Sequence, residues 1–182
     1  MNNLFIVFEG LSGSGKTTIG KIVAEKIGAE FYETPGPLFA SIRKKIDGEA
    51  DNLTRFLFYL ASVFHASKEI KEIIMRKSVV CDRYLLTTLC WHKVIGVDFQ
   101  TQESFFNNLL KPDYTFLIVC SQNTRLKRLY SRGLSYNDEK ERNDVIEKRF
   151  LEEYKKYNPI EIDNSGQNPQ KAAEKVVKLL KE

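Results

Sequence analysis

Long apolar runs are missing from this sequence. No stretch reaches the length of about 20 apolar residues that a membrane-spanning helix needs. The first residues also lack the basic segment, apolar stretch and cleavage site of an export signal. We therefore expect a protein that is neither exported nor inserted into a membrane.

Cysteine is scarce as well. The three cysteines, Cys81, Cys90 and Cys120, form no C-x-x-C pair and are not accompanied by a histidine cluster. Neither a disulfide framework nor a zinc site is predicted from this pattern. A reducing, cytoplasmic setting is the expectation that follows.

A large charge imbalance is the third missing feature. The 28 Lys and Arg residues oppose 24 Asp and Glu residues, which gives a formal net charge of +4. An excess of this size suits a small anionic ligand as well as a nucleic acid. Because the basic residues are spread out and form no stripe with interleaved aromatics, we expect a small molecule and no nucleic acid as partner.

The alternation of apolar patterns indicates one α/β domain across residues 1–182. Strands are predicted at residues 4–8, 31–33, 78–81, 114–120 and 160–162. Helices are predicted at about 17–27, 38–46, 52–76, 85–94, 122–133 and 141–157, and after N-caps at Thr101 and Asn168. On the longest helix, Leu53, Leu57 and Leu60 are expected on the buried side. This order predicts a three-layer α/β/α fold around a five-stranded parallel sheet.

Residues 10–17, Gly-Leu-Ser-Gly-Ser-Gly-Lys-Thr, match the G-x-x-x-x-G-K-[ST] motif of P-loop NTPase folds between a strand and a helix. Backbone N–H groups of such a loop converge on phosphate oxygens, and the helix N-terminus adds its dipole. Lys16 is predicted to reach the β- and γ-phosphates, and the Thr17 hydroxyl to ligate magnesium. The residues predicted to bind ATP are Gly13, Ser14, Gly15, Lys16, Thr17, Thr18 and Arg128.

The polar segment at about residues 133–144 is predicted to be a mobile lid. The phosphate loop carries no basic residue besides Lys16, so further positive charge on the transferred group has to come from elsewhere. The nearest basic residues in sequence surround this segment, at Arg128, Arg132, Lys140 and Arg142. We expect the lid to close over ATP and to supply Arg132 to the reaction. A solvated helix face explains each single residue equally well.

Asp82, Arg83 and Tyr84 directly follow an apolar strand. Their side chains are therefore expected at the carboxyl edge of the sheet, where open α/β folds bind ligands. Asp82 is a candidate for holding magnesium through water, and Arg83 for clamping an acceptor phosphate. An ion pair at the strand end is the structural alternative.

Taken together, these segments resemble the thymidylate kinase family over nearly the whole chain. Phe8, Glu9 and the phosphate loop are similar to that family's opening, and Asp82-Arg83-Tyr84 to its most specific motif. Residues 35–38, 57–65 and 128–133 resemble its Pro-Gly loop, its substrate-facing helix and the entry to its lid. The resemblance implies ATP- and magnesium-dependent phosphorylation of a (deoxy)nucleoside monophosphate by a homodimer that pairs through the long helices.

The resemblance also implies a set of acceptor-binding residues. Phe58 would stack on the acceptor base, and Arg83 would contact its phosphate with help from Arg43. Lys16, Arg83 and Arg132 are the implied catalytic residues. The full acceptor set is Ser12, Glu33, Pro35, Arg43, Phe58, Ser62, Arg83, Thr87 and Trp91.

Three positions depart from the family's pattern. Ser12 replaces an acidic residue that holds the 3′-hydroxyl, Ser62 replaces an arginine that contacts the thymine ring, and Trp91-His92 replace a tyrosine-glutamine pair. Glu33 stands where related deoxynucleoside kinases carry a carboxylate that takes the proton from the 5′-hydroxyl. A deoxynucleoside kinase with Glu33 as general base is therefore the alternative enzyme.

Two alternatives belong to other classes of protein. A GTP-dependent switch would carry a similar phosphate loop, but the N-K-x-D motif that such proteins use for the base is absent from the sequence. A non-catalytic nucleotide-binding partner protein stays open. Tyr130, Tyr154 and Tyr157 are expected to be packing residues on helices.

Overall fold

The computed structural model describes residues 3–99, 103–166 and 168–181. These residues form a parallel sheet in the order β2-β3-β1-β4-β5. Its strands are β1 (Phe5–Glu9), β2 (Glu30–Glu33), β3 (Val79–Asp82), β4 (Tyr114–Val119) and β5 (Ile160–Asp163). The five-stranded parallel sheet predicted from the sequence is confirmed.

Helices connect the strands. They are α1 (Lys16–Ile27), α2 (Pro37–Glu49), α3 (Asn52–Ile74), α4 (Leu85–Val94), α5 (Gln122–Arg132), α6 (Tyr136–Glu141), α7 (Asp144–Lys155) and α8 (Pro169–Leu179), with a 3-10 helix at Glu103–Asn108. The predicted stop of α1 is confirmed, because Gly28 adopts a left-handed conformation with φ of 68°. The predicted cap of α8 is confirmed too, since the Asn168 side chain accepts a hydrogen bond from Lys171 N. The cap predicted at Thr101 lies outside the described residues.

The apolar run of β1 is continuous because both faces of the central strand are covered. Ile6 and Phe8 pack with residues of α1 and α8 on one face of the sheet. Phe5 and Val7 point to the other face and pack with α3. Residues of α4 and α7 form a further apolar cluster with Leu117 of β4. Helices therefore cover both faces, as the predicted three-layer fold requires.

The buried side of α3 differs from the prediction. Leu60 is 6% exposed as expected, but Leu53 and Leu57 are 51% and 54% exposed, so the prediction for these two was wrong. The helix buries Phe56 and Val63 instead. Its apolar residues form two adjacent stripes with helical spacing, and only packing against the sheet and α4 decides which stripe is covered.

The predicted lid contains a short helix that the sequence analysis missed. Ser135 begins α6 with a capping box in which its hydroxyl accepts from Asp138 N and the Asp138 carboxylate accepts from Ser135 N. The next helix begins later than predicted, because Asn143 caps α7 in front of Asp144. Six polar residues carry too little apolar periodicity to be recognised as a helix.

Among the described residues, no helix is both long enough and apolar enough to span a membrane.

Candidate active site

The phosphate loop lies between β1 and the N-terminus of α1. Gly13 and Gly15 have φ values of 82° and 99°, a conformation that side chains rarely adopt. A Cβ atom at Gly15 would also collide with the Asn164 amide group. The glycines of the motif therefore allow the tight turn that leads into α1.

Arg128 and Asn164 bind carbonyl groups in the middle of this loop. Arg128 Nη1 donates to Gly13 O at 3.3 Å and to Ser14 O at 3.1 Å. Asn164 Nδ2, directly after β5, donates to Ser14 O at 2.8 Å. These contacts occupy the carbonyl groups of Gly13 and Ser14. Sequence reasoning missed Asn164, because a lone asparagine after a strand carries no local signal.

Lys16 is buried in the cleft, with 4% of its surface exposed. Its Nζ donates to Leu11 O at 2.7 Å. Burial and then the neighbouring charge of Arg83 lower the pKa of Lys16 to about 7. A polyphosphate in the loop would favour the charged form and raise this pKa again.

Arg83 follows β3 and reaches back to the phosphate loop. Its backbone φ is 69°, an unusual value for a residue with a side chain. The Nη1 group donates to Gly10 O at 2.9 Å, and Nη2 donates to Ser12 Oγ at 3.1 Å. Burial opposes its charge, but Glu141 and other nearby negative groups outweigh burial and raise the pKa of Arg83.

Glu9 forms a buried hydrogen-bond cluster behind Arg83. It accepts from Tyr84 N at 3.1 Å, from the Thr87 hydroxyl, and from Tyr154 OH at 3.2 Å. The Thr87 and Tyr154 hydroxyl oxygens lie 2.7 Å apart, and Arg83 Nη1 lies 3.4 Å from Thr87 Oγ1. Burial raises the pKa of Glu9, and the bond from Thr87 and the charge of Arg83 oppose that shift.

Thr17 and Asp82 lie together at the predicted magnesium position. The Thr17 hydroxyl donates to Asp82 Oδ2. The other oxygen of this buried carboxylate, Asp82 Oδ1, has no hydrogen-bond partner within the described part of the chain. Residues 3–99, 103–166 and 168–181 contain no cluster of three or more His, Cys, Asp or Glu that could hold a metal ion. One carboxylate and one hydroxyl nevertheless fit Mg²⁺, which keeps several waters and binds substrate phosphates.

Residues of the segment 133–144 contact Arg132 and the phosphate loop. Arg132 Nη2 lies 3.0 Å from each carboxylate oxygen of Asp138. Glu141 is 5% exposed, and its Oε2 accepts from Ser12 N in the phosphate loop at 2.6 Å. Sequence reasoning missed Glu141 because contacts between distant segments have no local signature.

At one end of the cleft, α6 forms hydrogen bonds with α2 and α3. Asn137 Oδ1 accepts from Arg55 Nη2 at 2.6 Å, and Asn137 Nδ2 donates to Asp47 Oδ2 at 3.3 Å. The Arg55 guanidinium also lies 4.7 Å from the Tyr136 ring centre. Residues of α6 therefore contact α2 and α3 as well as the phosphate loop.

The cleft enclosed by these elements has a volume of about 1060 Å³. Most of the predicted site residues line it: Ser12, Gly13, Gly15, Lys16, Thr17, Thr18, Glu33, Arg43, Ser62, Asp82, Arg83, Thr87, Trp91, Arg128 and Arg132.

The structure does not place Ser14, Pro35 and Phe58 on the cleft wall. Ser14 is 1% exposed within the loop. Phe58 packs edge-to-face against Phe39, with the ring centres 5.6 Å apart. The neighbouring Tyr59 lines the cleft in its place, and its hydroxyl donates to Asp47 Oδ1 at 2.8 Å.

The fold and site together define the class of protein. A parallel sheet, a glycine-rich phosphate loop at a helix N-terminus, and the cations of Lys16 and Arg83 facing one cleft are the features of a P-loop phosphotransferase. The sequence model of the thymidylate kinase family matches residues 8–176, and the chain belongs to this family. Members of the family are nucleoside monophosphate kinases that use ATP as the phosphoryl donor.

Individual relatives agree with this assignment. A probable thymidylate kinase of Methanocaldococcus jannaschii is 35% identical over 188 residues, covering 100% of this chain and 97% of the relative. The thymidylate kinase of Candida albicans superposes with a TM-score of 0.76 at 17% identity, covering 99% of this chain and 92% of that one. A deoxyadenosine kinase of M. mycoides with bound dCMP superposes with a TM-score of 0.69 at 24% identity, covering 98% of this chain and 99% of that one. The two structural likenesses show the shared fold.

Proposed function

We propose that this chain transfers the γ-phosphoryl group of ATP to dTMP or a related pyrimidine deoxynucleoside monophosphate, forming the nucleoside diphosphate and ADP. One observation carries the proposal: Arg83 contacts the phosphate loop itself, with Nη2 at 3.1 Å from Ser12 Oγ. A cation suited to the acceptor phosphate therefore lies beside the amides suited to the donor phosphates. In-line transfer needs this proximity and no covalent intermediate.

The chain's own residues act by positioning and by neutralising charge. The loop amides and Lys16 bind the β- and γ-phosphates, and Arg83 binds the acceptor phosphate. Arg132 is proposed to leave Asp138 and to approach the transferred group when the segment 133–144 closes as a lid. Arg128 supports the donor site through the loop carbonyls that it binds.

Magnesium is the proposed cofactor. Thr17 and Asp82 would hold it, and the unpartnered Asp82 Oδ1 is the observation that supports this assignment. When bound, the ion neutralises negative charge on the donor phosphates.

The acceptor base is proposed to lie between α3 and α4. Tyr59 and Trp91 are the large aromatic side chains that these two helices present to the cleft. Ser62 offers little to the base, because its hydroxyl donates to Tyr59 O at 2.7 Å. Stacking by Phe58 stays a prediction that the observed packing does not favour.

A coupled assay with ATP, Mg²⁺ and a panel of nucleoside monophosphates and nucleosides tests the proposal. We expect turnover with dTMP or another pyrimidine monophosphate and none with the matching nucleosides. Lys16→Met is the control and is expected to abolish turnover, since it removes the cation at the β- and γ-phosphates. A wild-type enzyme that phosphorylates none of the monophosphates would refute the proposal. If it phosphorylates none of the nucleosides either, the non-catalytic alternative is left.

A deoxynucleoside kinase is the second candidate. The supporting observation is the place of Glu33, which lines the cleft at the end of β2 and pairs in register with Asp82. A carboxylate there is suited to take the proton of a 5′-hydroxyl. Turnover of nucleosides alone, lost in Glu33→Gln, would establish this alternative.

We also propose a homodimer that pairs through α3. Leu53 and Leu57 are 51% and 54% exposed on this helix. Phe105 is 51% exposed, and its ring centre lies 5.2 Å from that of Phe64 on α3. Exposed apolar residues of this size favour association. Light scattering at micromolar concentration is expected to give a dimer, and Leu57→Glu a monomer.

The cellular setting and the exclusion of nucleic acid stay predictions. Cys81, Cys90 and Cys120 are free thiols, which is compatible with the reducing, cytoplasmic location expected from the sequence.

A further inference from the structure

We propose that Tyr154 is a positioning residue for Arg83 and acts on it through Thr87 and Glu9. The inference rests on the proposed function, because it takes Arg83 as the residue that binds the acceptor phosphate. It also replaces the sequence-based expectation that Tyr154 is a packing residue alone.

Tyr154 lies on α7, the helix that follows the lid segment, and is completely buried. Its ring packs against Phe150 at 4.7 Å between centres. Its hydroxyl lies 2.7 Å from Thr87 Oγ1 and 3.2 Å from Glu9 Oε2. A hydroxyl that only filled space would not be placed between two polar groups of α4 and β1.

The available protons determine how this cluster is connected. The Thr87 hydroxyl donates its single proton to Glu9, so both of its lone pairs remain for accepting. One accepts from Arg83 Nη1 at 3.4 Å, and the other faces the Tyr154 hydroxyl. Burial raises the pKa of Tyr154, which keeps that hydroxyl a proton donor. Tyr154 thus donates towards Thr87 and Glu9 and holds the Thr87 hydroxyl in the orientation that accepts from Arg83.

Arg83 depends on these neighbours for its direction. Its guanidinium also donates to Gly10 O and Ser12 Oγ, and both of these bonds lead to the phosphate loop. Thr87 holds the guanidinium on the α4 side, and the Glu9 carboxylate provides a countercharge behind it. Removing the Tyr154 hydroxyl takes away the one proton that Thr87 and Glu9 share as acceptors, so we expect Arg83 to lose its fixed direction towards the acceptor phosphate.

Tyr154→Phe tests this role, because it keeps the ring packing and removes only the hydroxyl. Affinities for dTMP and for thymidine are measured by calorimetry, together with kcat and the KM for ATP. We expect dTMP to bind about 2- to 13-fold more weakly, the range for one lost hydrogen bond. Thymidine, which has no phosphate for Arg83, is expected to bind within about twofold of its wild-type affinity, and the KM for ATP to change as little.

A matched control and a second variant complete the design. Tyr157→Phe changes a half-exposed tyrosine just after the same helix and is expected to leave both affinities unchanged. Thr87→Val removes the hydroxyl through which Tyr154 acts. Adding Tyr154→Phe to Thr87→Val is therefore expected to weaken dTMP binding by less than Tyr154→Phe does alone.

The outcomes separate this inference from the proposed function. Equal losses for dTMP and thymidine, or an unchanged dTMP affinity in Tyr154→Phe, overturn the positioning role and leave the proposed function in place. A full additional loss in the Thr87→Val background also overturns it. Wild-type enzyme that binds thymidine as tightly as dTMP refutes the assignment of Arg83 to the acceptor phosphate, and with it both proposals.

Discussion

Replacing Glu141 of α6 with glutamine removes a negative charge that contacts the phosphate loop. The Glu141 carboxylate accepts from Ser12 N at 2.6 Å and is the strongest charge partner of Arg83. It also faces Lys16. A phosphate group entering the loop competes for the same amide and the same cations, so we expect Glu141→Gln to bind ATP more tightly than the wild type.

The size of the effect follows from the contact that ATP has to displace. A hydrogen bond to a charged group contributes about 1.5 to 3 kcal/mol. Glutamine keeps an acceptor oxygen for Ser12 N and loses only the charge, so we expect a gain of about 1 to 2 kcal/mol, or about 5- to 30-fold in the Kd for ATP. At this burial, salt and water screen the interaction incompletely.

Calorimetric titration of ATP, in the presence of Mg²⁺, measures the change. Glu139→Gln is the matched control, since it removes the same charge from an exposed position on α6. We expect its Kd to stay within about twofold of the wild type. Equal affinities in wild type and Glu141→Gln, or equal gains in both variants, would show that Glu141 does not compete with phosphate.

Three further predictions concern the same cleft. The pKa of Lys16 is lowered to about 7 and bound phosphates favour its charged form, so ATP binding should take up a proton above pH 7. The affinity for ATP should then weaken as pH rises, by at most about tenfold per pH unit. Calorimetric titrations in two buffers of different ionisation enthalpy detect the proton uptake, and its absence argues against Lys16 as the responsible group. Arg132→Ala should lower kcat by at least about tenfold if the arginine leaves Asp138 to reach the transferred group. Arg142 is exposed, and Arg142→Ala should leave kcat unchanged. Near-normal turnover of Arg132→Ala rejects the catalytic role. Asp82→Asn should raise the Mg²⁺ concentration needed for half-maximal turnover by about 10- to 100-fold, measured at saturating ATP, and an unchanged requirement removes Asp82 from the metal site.

The sequence was most informative where the structural signal is local. The phosphate loop needs glycines at positive φ and a helix directly after a strand, and both requirements appear within residues 5–27. Asp82 and Arg83 could be placed at the ligand-binding edge because they follow an apolar strand without a break. Sheet order was not predicted, since pairing between parallel strands depends on contacts far apart in the chain.

Two predictions failed or weakened for the same kind of reason. Apolar spacing on α3 fits two neighbouring faces, and packing exposed Leu53 and Leu57 while burying Phe56. The apolar spacing on α3 also allows either Phe58 or Tyr59 to face the cleft, and the structure places Tyr59 on the cleft wall. A helical period identifies a stripe of residues but not its partner.

The amino-acid sequence by itself determined that this chain builds a phosphate loop, a parallel sheet and an arginine at the sheet's ligand-binding edge. Only the tertiary structure decided what surrounds that arginine: Tyr154 lies 145 residues from Glu9 in the chain and 67 from Thr87. Glu141 meets Ser12 across 129 residues. Hydrogen bonds between such distant groups form only after the helices have packed on the sheet. No local pattern of residues therefore predicts them.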